Sequence, residues 1–102
     1  MQRVPPKVQR ALRDLLRKYQ ARGIDVFLFG SVAETWPEYR KGSDFDIGFK
    51  IPAGRKDAEE SKREISRDAS SLPTIRAVDV VDFSVVDDSF REIANTQARR
   101  EL

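Results

Sequence analysis

The sequence predicts an α/β fold of the α+β kind, with a small mixed β-sheet and helices packed on it. Apolar residues recur every three or four positions near the start of the chain, as they do on one face of a helix. Three short runs rich in branched and aromatic residues follow, separated by charged or turn-forming segments. The resulting order is helix, strand, short helix, strand, helix, strand, helix, which we expect to form a single domain over residues 1–102.

The composition excludes several classes of protein. Of the 102 residues, 39% are hydrophobic and 35% are charged, which indicates a soluble globular domain. No apolar run approaches the roughly 20 residues that span a bilayer, and residues 1–6 do not lead into a signal peptide, so we expect a cytoplasmic protein without a membrane partner. The chain contains no cysteine and no histidine, which excludes disulfides and the usual zinc ligands. Any metal ion must therefore be held by oxygen atoms.

The charge distribution leaves nucleic-acid binding open. The net charge of +2 is too small to indicate a nucleic-acid groove by itself. The first helix has a basic face that is compatible with RNA or an acidic partner, although a solvated helix surface is the favoured interpretation. Its residues are Lys7, Arg10, Arg13, Arg17, Lys18 and Arg22.

The first helix and the first strand have the clearest patterns. The helix is predicted to start at Pro5-Pro6 and to run to about Ala21, with Gly23 ending it. The apolar run over residues 24–29 predicts a strand that is covered on both faces. The helix is expected to place one stripe in the core, consisting of Val8, Ala11, Leu12, Leu15, Leu16 and Tyr19.

The central pattern is Gly30-Ser31 at the end of that strand, then twelve residues, then Asp44-Phe45-Asp46 at the start of a second strand over residues 44–51. Successive strand side chains point to opposite faces, so Asp44 and Asp46 share one face. Two adjacent like charges are unfavourable unless a cation compensates them, and carboxylate oxygens suit Mg²⁺, which is usually shared with substrate phosphates. The pattern therefore indicates a site for phosphoryl or nucleotidyl transfer.

Each of these motifs also has a purely structural interpretation. Residues 32–36 can form only a short helix before Pro37, and Ser31 could cap that helix, a role that can coexist with phosphate binding. The two aspartates could be polar positions of a half-exposed strand, and Arg40 and Lys41, in the preceding loop, could be solvated rather than in contact with a triphosphate. The spacing of the two motifs together favours the functional interpretation.

The second half of the chain predicts a charged helix over residues 55–71, a strand over residues 74–83 and a final helix from residue 89 to about residue 100, capped by Asp87 or Asp88. Asp79 interrupts the apolar run of the strand, and a buried carboxylate needs a partner, which a metal shared with the Asp44 pair would supply. Asp82 has the opposite strand parity. We favour Asp79 as the third carboxylate, whereas a β-bulge would favour Asp82.

Gly30-Ser31 followed by Asp44-Phe45-Asp46 resembles the Gly-Ser…Asp-x-Asp signature of the DNA polymerase β-like nucleotidyltransferase superfamily. At this length the chain is most similar to the minimal nucleotidyltransferases, small proteins often paired with an HEPN partner, over about residues 24–93. The resemblance implies the nucleotidyltransferase fold, and Asp79 matches the third carboxylate of that superfamily. The sequence departs from the family where a basic residue and often a glycine follow the Gly-Ser pair, because this chain has Val32, Ala33, Glu34 and Thr35.

The resemblance also implies an activity, which is metal-dependent transfer of a nucleoside monophosphate, AMP from ATP, to an acceptor such as a partner protein. Asp44, Asp46 and Asp79 would be the catalytic residues and the ligands of two Mg²⁺ ions, with Mn²⁺ as a substitute, and Gly30 and Ser31 would bind the β- and γ-phosphates. The alternative within the same family is an antitoxin that neutralises an HEPN-type ribonuclease by complex formation without turnover. A second copy of the chain, in a homo-oligomer, is another candidate to complete the site.

Overall fold

The computed structural model describes residues 1–85, 88, 92 and 97–102, and the elements below belong to this part of the chain. In chain order they are β1 (Gln2–Arg3), α1 (Pro6–Gln20), β2 (Asp25–Phe29), α2 (Gly30–Thr35), β3 (Glu38–Tyr39), β4 (Phe45–Lys50), α3 (Ala58–Ser70) and β5 (Val78–Asp82). These bounds agree with the predicted helices and strands to within a few residues at each end.

The main sheet is mixed, which confirms the predicted fold class. Its strand order is β2-β4-β5, with β2 antiparallel to β4 and β4 parallel to β5. Strands β1 and β3 form a separate antiparallel pair, with Gln2 opposite Tyr39 and Arg3 opposite Glu38. The sequence did not predict this pair because strands of two residues are too short to show an alternating pattern.

Helix α1 packs its predicted apolar stripe against β2. The stripe is buried apart from Ala11, which is half-buried. At the end of the stripe, the hydroxyl of buried Tyr19 donates a hydrogen bond to Asp68 of α3. The buried members are Val8, Leu12, Leu15, Leu16 and Tyr19.

Helix α3 has few apolar residues, yet both apolar packing and ion pairs hold it in place. Ile65 and Ala69 are buried in the same core as α1. Ion pairs add to this contact, with Lys18 of α1 2.7 Å from Asp68 and Arg22, just after α1, 2.9 Å from Glu64. The charged residues of α3 therefore serve partly to hold the two helices together.

The two faces of the main sheet are covered differently. Phe45 and Ile47 point into the core that contains α1 and α3. The opposite face carries an aromatic cluster, which we define as Phe27, Phe29 and Phe83, with Phe83 5.1 Å from each of the other two ring centroids. Strand β2 is thus buried on both faces, as its apolar run predicts.

The last residues of the chain lie along the free edge of β2. Arg99 exchanges two backbone hydrogen bonds with Leu28, at 2.7 and 2.9 Å, so the predicted helix does not extend to residue 100. Most of the predicted final helix and its candidate cap Asp87 lie outside the described residues. Within the described ranges, no helix is both long and apolar enough to cross a membrane.

Candidate functional site

The candidate residues meet at one end of the main sheet, which we call the site end, where β2 stops and β4 and β5 begin. Because β2 runs antiparallel to β4, its last residue, Phe29, lies opposite Asp46 near the start of β4. Helix α2 begins immediately after Phe29. Because β5 runs parallel to β4, Asp79 also lies near the start of its strand. The mixed sheet thus brings the Gly-Ser turn and the carboxylates together.

Gly30 and Asp46 are in direct contact at the site end. The backbone of Gly30 has φ +75°, which glycine adopts without strain. A Cβ atom at position 30 would overlap Oδ2 of Asp46 and lie 3.2 Å from its Cγ. The turn between β2 and α2 therefore requires glycine both for its backbone conformation and for the space that the carboxylate occupies.

Asp46 and Asp79 are paired in register across β4 and β5. Residues paired in this way project from the same face of a sheet, so both side chains lie on the face opposite α1 and α3. Burial, followed by the negative charges of Asp79 and Asp44, raises the pKa of Asp46 above its ordinary value. Asp79 and Asp44 therefore both act electrostatically on Asp46.

The aromatic cluster lies on the same face of the sheet as Asp46 and contributes to its burial. Phe29 is only 8% exposed and lies directly opposite Asp46 across the antiparallel pair. The cluster needs a glycine in the strand beside it, because a Cβ atom on Gly48 would overlap the rings of Phe27 and Phe83. Apolar rings next to a carboxylate remove water from it and penalise its charged form.

The carboxylates do not form a ready-made chelating group. Among residues 1–85, 88, 92 and 97–102, no group of three or more Asp, Glu, His or Cys side chains is close enough to hold a metal ion. The chemistry of the donor set nevertheless fits a hard cation, because the neighbours that raise the pKa of Asp46 are both carboxylates. A divalent ion would offset the repulsion that Asp79 and Asp44 exert on Asp46.

Asp79 was predicted to be a buried carboxylate, and this prediction is wrong. Asp79 is exposed, because β5 is an edge strand and the face that carries Asp79 is not covered by α1 or α3. Asp82 has the opposite parity, as predicted, and projects toward α3. It lies 3.1 Å from Nζ of Lys62 and accepts a hydrogen bond from the backbone of Ser84. Asp82 is thus engaged in packing α3 against the sheet.

Ser31 does not cap α2. The structure places Phe29 at the N-cap and Gly30 at the first helical position, so Ser31 lies inside the first turn and no side chain caps the helix. Its side chain is exposed. Of the two interpretations of Ser31, capping is therefore excluded, while phosphate binding stays a prediction.

A loop before β4 carries Asp44 to the site end. Both Asp44 and the preceding basic residues Arg40 and Lys41 are exposed. The guanidinium of Arg76 holds this loop, because it donates a 3.1 Å hydrogen bond to the carbonyl of Ser43 and lies 4.1 Å from the ring centroid of Tyr39. Sequence reasoning missed Arg76 and Tyr39, since neither stands in a recognisable motif and both contacts join distant segments.

Comparison with known proteins agrees with this geometry. The family profile described as "nucleotidyltransferase domain" matches residues 8–100, which is most of the chain. A search of curated proteins found no match. The matched range includes the Gly-Ser turn, the loop of Asp44 and the paired aspartates of β4 and β5. The chain therefore belongs to the nucleotidyltransferase domain family.

Proposed function

We propose that this domain transfers a nucleoside monophosphate from a nucleoside triphosphate, ATP by family resemblance, to a hydroxyl acceptor on a partner protein of the HEPN class. The observation that supports the proposal best is the in-register pairing of Asp46 with Asp79 beside Gly30. It places two carboxylates next to the turn at the start of α2, where Gly30 contacts Asp46 and the Ser31 side chain is exposed. The raised pKa of Asp46 is consistent with a site that is completed by a cation.

The proposed metal ligands are Asp44, Asp46 and Asp79. Mg²⁺ prefers oxygen ligands and usually binds one or two carboxylates together with substrate phosphates, which suits a chain without histidine or cysteine. Two ions, Mg²⁺ or Mn²⁺, would supply electrostatic stabilisation of the attacking and leaving oxygens. Since the described carboxylates do not form a chelating group by themselves, we expect them to draw together when nucleotide and ion bind.

The roles of the chain's own residues follow from their positions. Gly30 and Ser31 bind the β- and γ-phosphates at the start of α2, where backbone N–H groups lack a side-chain cap. Asp79 takes the proton from the acceptor hydroxyl, since it is exposed on the side of Asp46 away from β2. The acceptor oxygen forms a bond to the α-phosphorus, the bond from that phosphorus to the α–β bridging oxygen breaks, and pyrophosphate leaves.

The test is calorimetric titration of ATP into the protein with and without Mg²⁺. Wild type should bind ATP in a Mg²⁺-dependent manner, and Asp46→Asn should weaken that binding by tenfold or more, because it removes one charged ligand. Asp82→Asn is the matched control, since Asp82 is an aspartate of the same region whose side chain faces α3. It should bind ATP as wild type does.

Transfer itself is tested with α-labelled ATP and an HEPN protein as acceptor. Label should appear on the acceptor with wild type and Asp82→Asn and should be lost with Asp79→Asn and Asp46→Asn. Absence of ATP binding under every metal condition, with all variants folded, would overturn the proposal. ATP binding without transfer to any hydroxyl acceptor would instead support neutralisation of the partner by complex formation.

A further inference from the structure

A cavity of about 770 Å³ opens at the site end of the sheet, beside Asp44. Its walls are mostly apolar. They are formed by three segments that are distant in sequence, which include Pro5, Tyr39 and Ile75 respectively. Lys41 and Arg76 supply positive charge at the same cavity. None of Gly30, Ser31, Asp46 and Asp79 lines it, so it adjoins the nucleotidyl-transfer site without being part of it.

The cavity lies close enough to Asp46 along the chain to receive part of a bound nucleotide. Gly30 contacts Asp46, and Asp44 stands two residues earlier in the chain, roughly 7 Å away in an extended backbone. Asp44 is one of the residues that line the cavity. A nucleotide with its β- and γ-phosphates at Gly30 and its α-phosphate near the aspartates therefore has its nucleoside directed to the cavity.

The chemistry of the walls suits a flat heteroaromatic ring. The guanidinium of Arg76 is stacked at 4.1 Å on the ring of Tyr39, and both groups are half-exposed, so this planar pair offers a surface for stacking. Ile75 is fully exposed and lines the cavity, so its side chain is accessible to a ligand there. Lys41 is exposed in the same loop as Asp44 and also lines the cavity.

We propose that this cavity is the subsite for the nucleoside half of the nucleotide, with the base against Tyr39, Ile75 and Arg76. The inference rests on the proposed function, because it needs the triphosphate to be bound at Gly30 and Ser31. It assigns the base and ribose to a part of the molecule that the two sequence motifs do not include. The acceptor must then approach from the other side of Asp46, where Asp79 is exposed.

The test compares two probes, ATP and inorganic tripolyphosphate, each titrated in the presence of Mg²⁺. Tyr39→Ala and Ile75→Ser should weaken ATP binding, by about tenfold for Tyr39→Ala, which is the loss of one base-stacking contact. Neither substitution should change tripolyphosphate binding. Ile75→Ser cannot cost core packing, because the side chain is fully exposed, so it keeps the test valid even if Tyr39→Ala is unstable. Val85→Ser is the matched control, since Val85 is also exposed but lies beyond the opposite end of β5.

The outcomes separate this inference from the proposed function. Weaker ATP binding with unchanged tripolyphosphate binding supports the nucleoside subsite. Binding of both probes that is insensitive to Tyr39→Ala and Ile75→Ser overturns the subsite while the proposed function stands, and the cavity then becomes a candidate acceptor site. If neither probe binds wild type, the proposed function fails and the subsite fails with it.

Photolabelling with 2-azido-ATP gives a second, position-specific readout. Attachment of the label within residues 39–45 or 73–76, located by peptide mapping, supports the assignment. Attachment elsewhere overturns it. Unlabelled ATP should compete with this labelling, and tripolyphosphate should compete as well, because the triphosphate of the probe needs the same site at Gly30 and Ser31.

Discussion

Gly30 and Asp46 lie against each other, and the absence of a side chain at position 30 creates the space that the Asp46 carboxylate fills. A Cβ atom there would overlap Oδ2 of Asp46, and the backbone of Gly30 has φ +75°. The conformation of the turn and the position of the carboxylate are therefore coupled. This coupling explains why a glycine directly follows the last residue of β2.

Gly30→Ala should damage both stability and nucleotide binding. The left-handed conformation costs an alanine about 1–2 kcal/mol, and displacement of Asp46 adds to that loss. We expect the free energy of unfolding, measured by urea denaturation, to fall by about 2–3 kcal/mol. Gly42→Ala is the control, because Gly42 has φ +86° and no atom within 4 Å of the added Cβ. Equal losses in the two variants would show that the contact with Asp46 contributes nothing.

Asp46→Asn should stabilise the apo protein in a pH-dependent way. Because the folded pKa of Asp46 is raised, the folded protein holds the proton more tightly than the unfolded chain, and stability is lost as the pH rises from the ordinary value of 3.8 through the raised pKa. Asparagine avoids that loss. Above this window the variant should be more stable than wild type by about 0.5 kcal/mol, as for like charges opposed across two strands.

The measurement for Asp46 is urea denaturation at pH 7 and at pH 3, without divalent ions. The stability difference between Asp46→Asn and wild type should be present at pH 7 and vanish at pH 3, where both side chains are neutral. Asp14→Asn serves as the control, because Asp14 is an exposed residue of α1. A difference that persists unchanged at pH 3 would mean that the effect does not come from the charge of Asp46.

Gly48→Ala should destabilise the sheet through the aromatic cluster. The added methyl group would overlap the rings of Phe27 and Phe83, so the rings must shift, and overpacking of this kind costs about 1–3 kcal/mol. The thermal midpoint and the urea midpoint should both fall. Combining Gly48→Ala with Phe83→Leu should cost less than the sum of the two single substitutions, because the smaller side chain makes room. Strictly additive losses would contradict the proposed overlap.

Asp82→Asn should destabilise the protein, whereas Asp79→Asn should not. Burial by itself would raise the pKa of Asp82, but hydrogen bonds from Ser84 and Lys62 lower it below its ordinary value of 3.8. The charged Asp82 side chain therefore stabilises the folded protein at pH values above 3.8, and this stabilisation is lost as the pH falls through the lowered pKa. At pH 7 we expect Asp82→Asn to cost about 1 kcal/mol. Asp79→Asn should leave stability unchanged or slightly higher, since Asp79 is exposed opposite Asp46. A larger loss from Asp79→Asn would contradict the assignment of the two faces.

The sequence predicted the elements well where the signal is local. Helix α1 and strands β2, β4 and β5 follow from apolar period and run length. The shared face of Asp44 and Asp46 stays a prediction, because Asp44 lies in the loop before β4. Three features differ from expectation. Asp79 is exposed rather than buried, Ser31 does not cap α2, and β1 and β3 form an additional pair. The exposure of Asp79, the start of α2 and the pairing of β1 with β3 all depend on where other segments of the chain begin, end and pack. A local sequence pattern does not contain that information.

The same division holds for the candidate site. The sequence by itself determined which residue types are present and how they alternate, namely the Gly30-Ser31 pair, the Asp44-Phe45-Asp46 motif and the opposite parity of Asp79 and Asp82. Only the tertiary structure decided that β5 pairs parallel with β4 in the register that sets Asp79 beside Asp46, and that Gly30 touches the same carboxylate. Register and contact arise from packing between segments distant in the chain, and their free energy exists only once the sheet has formed.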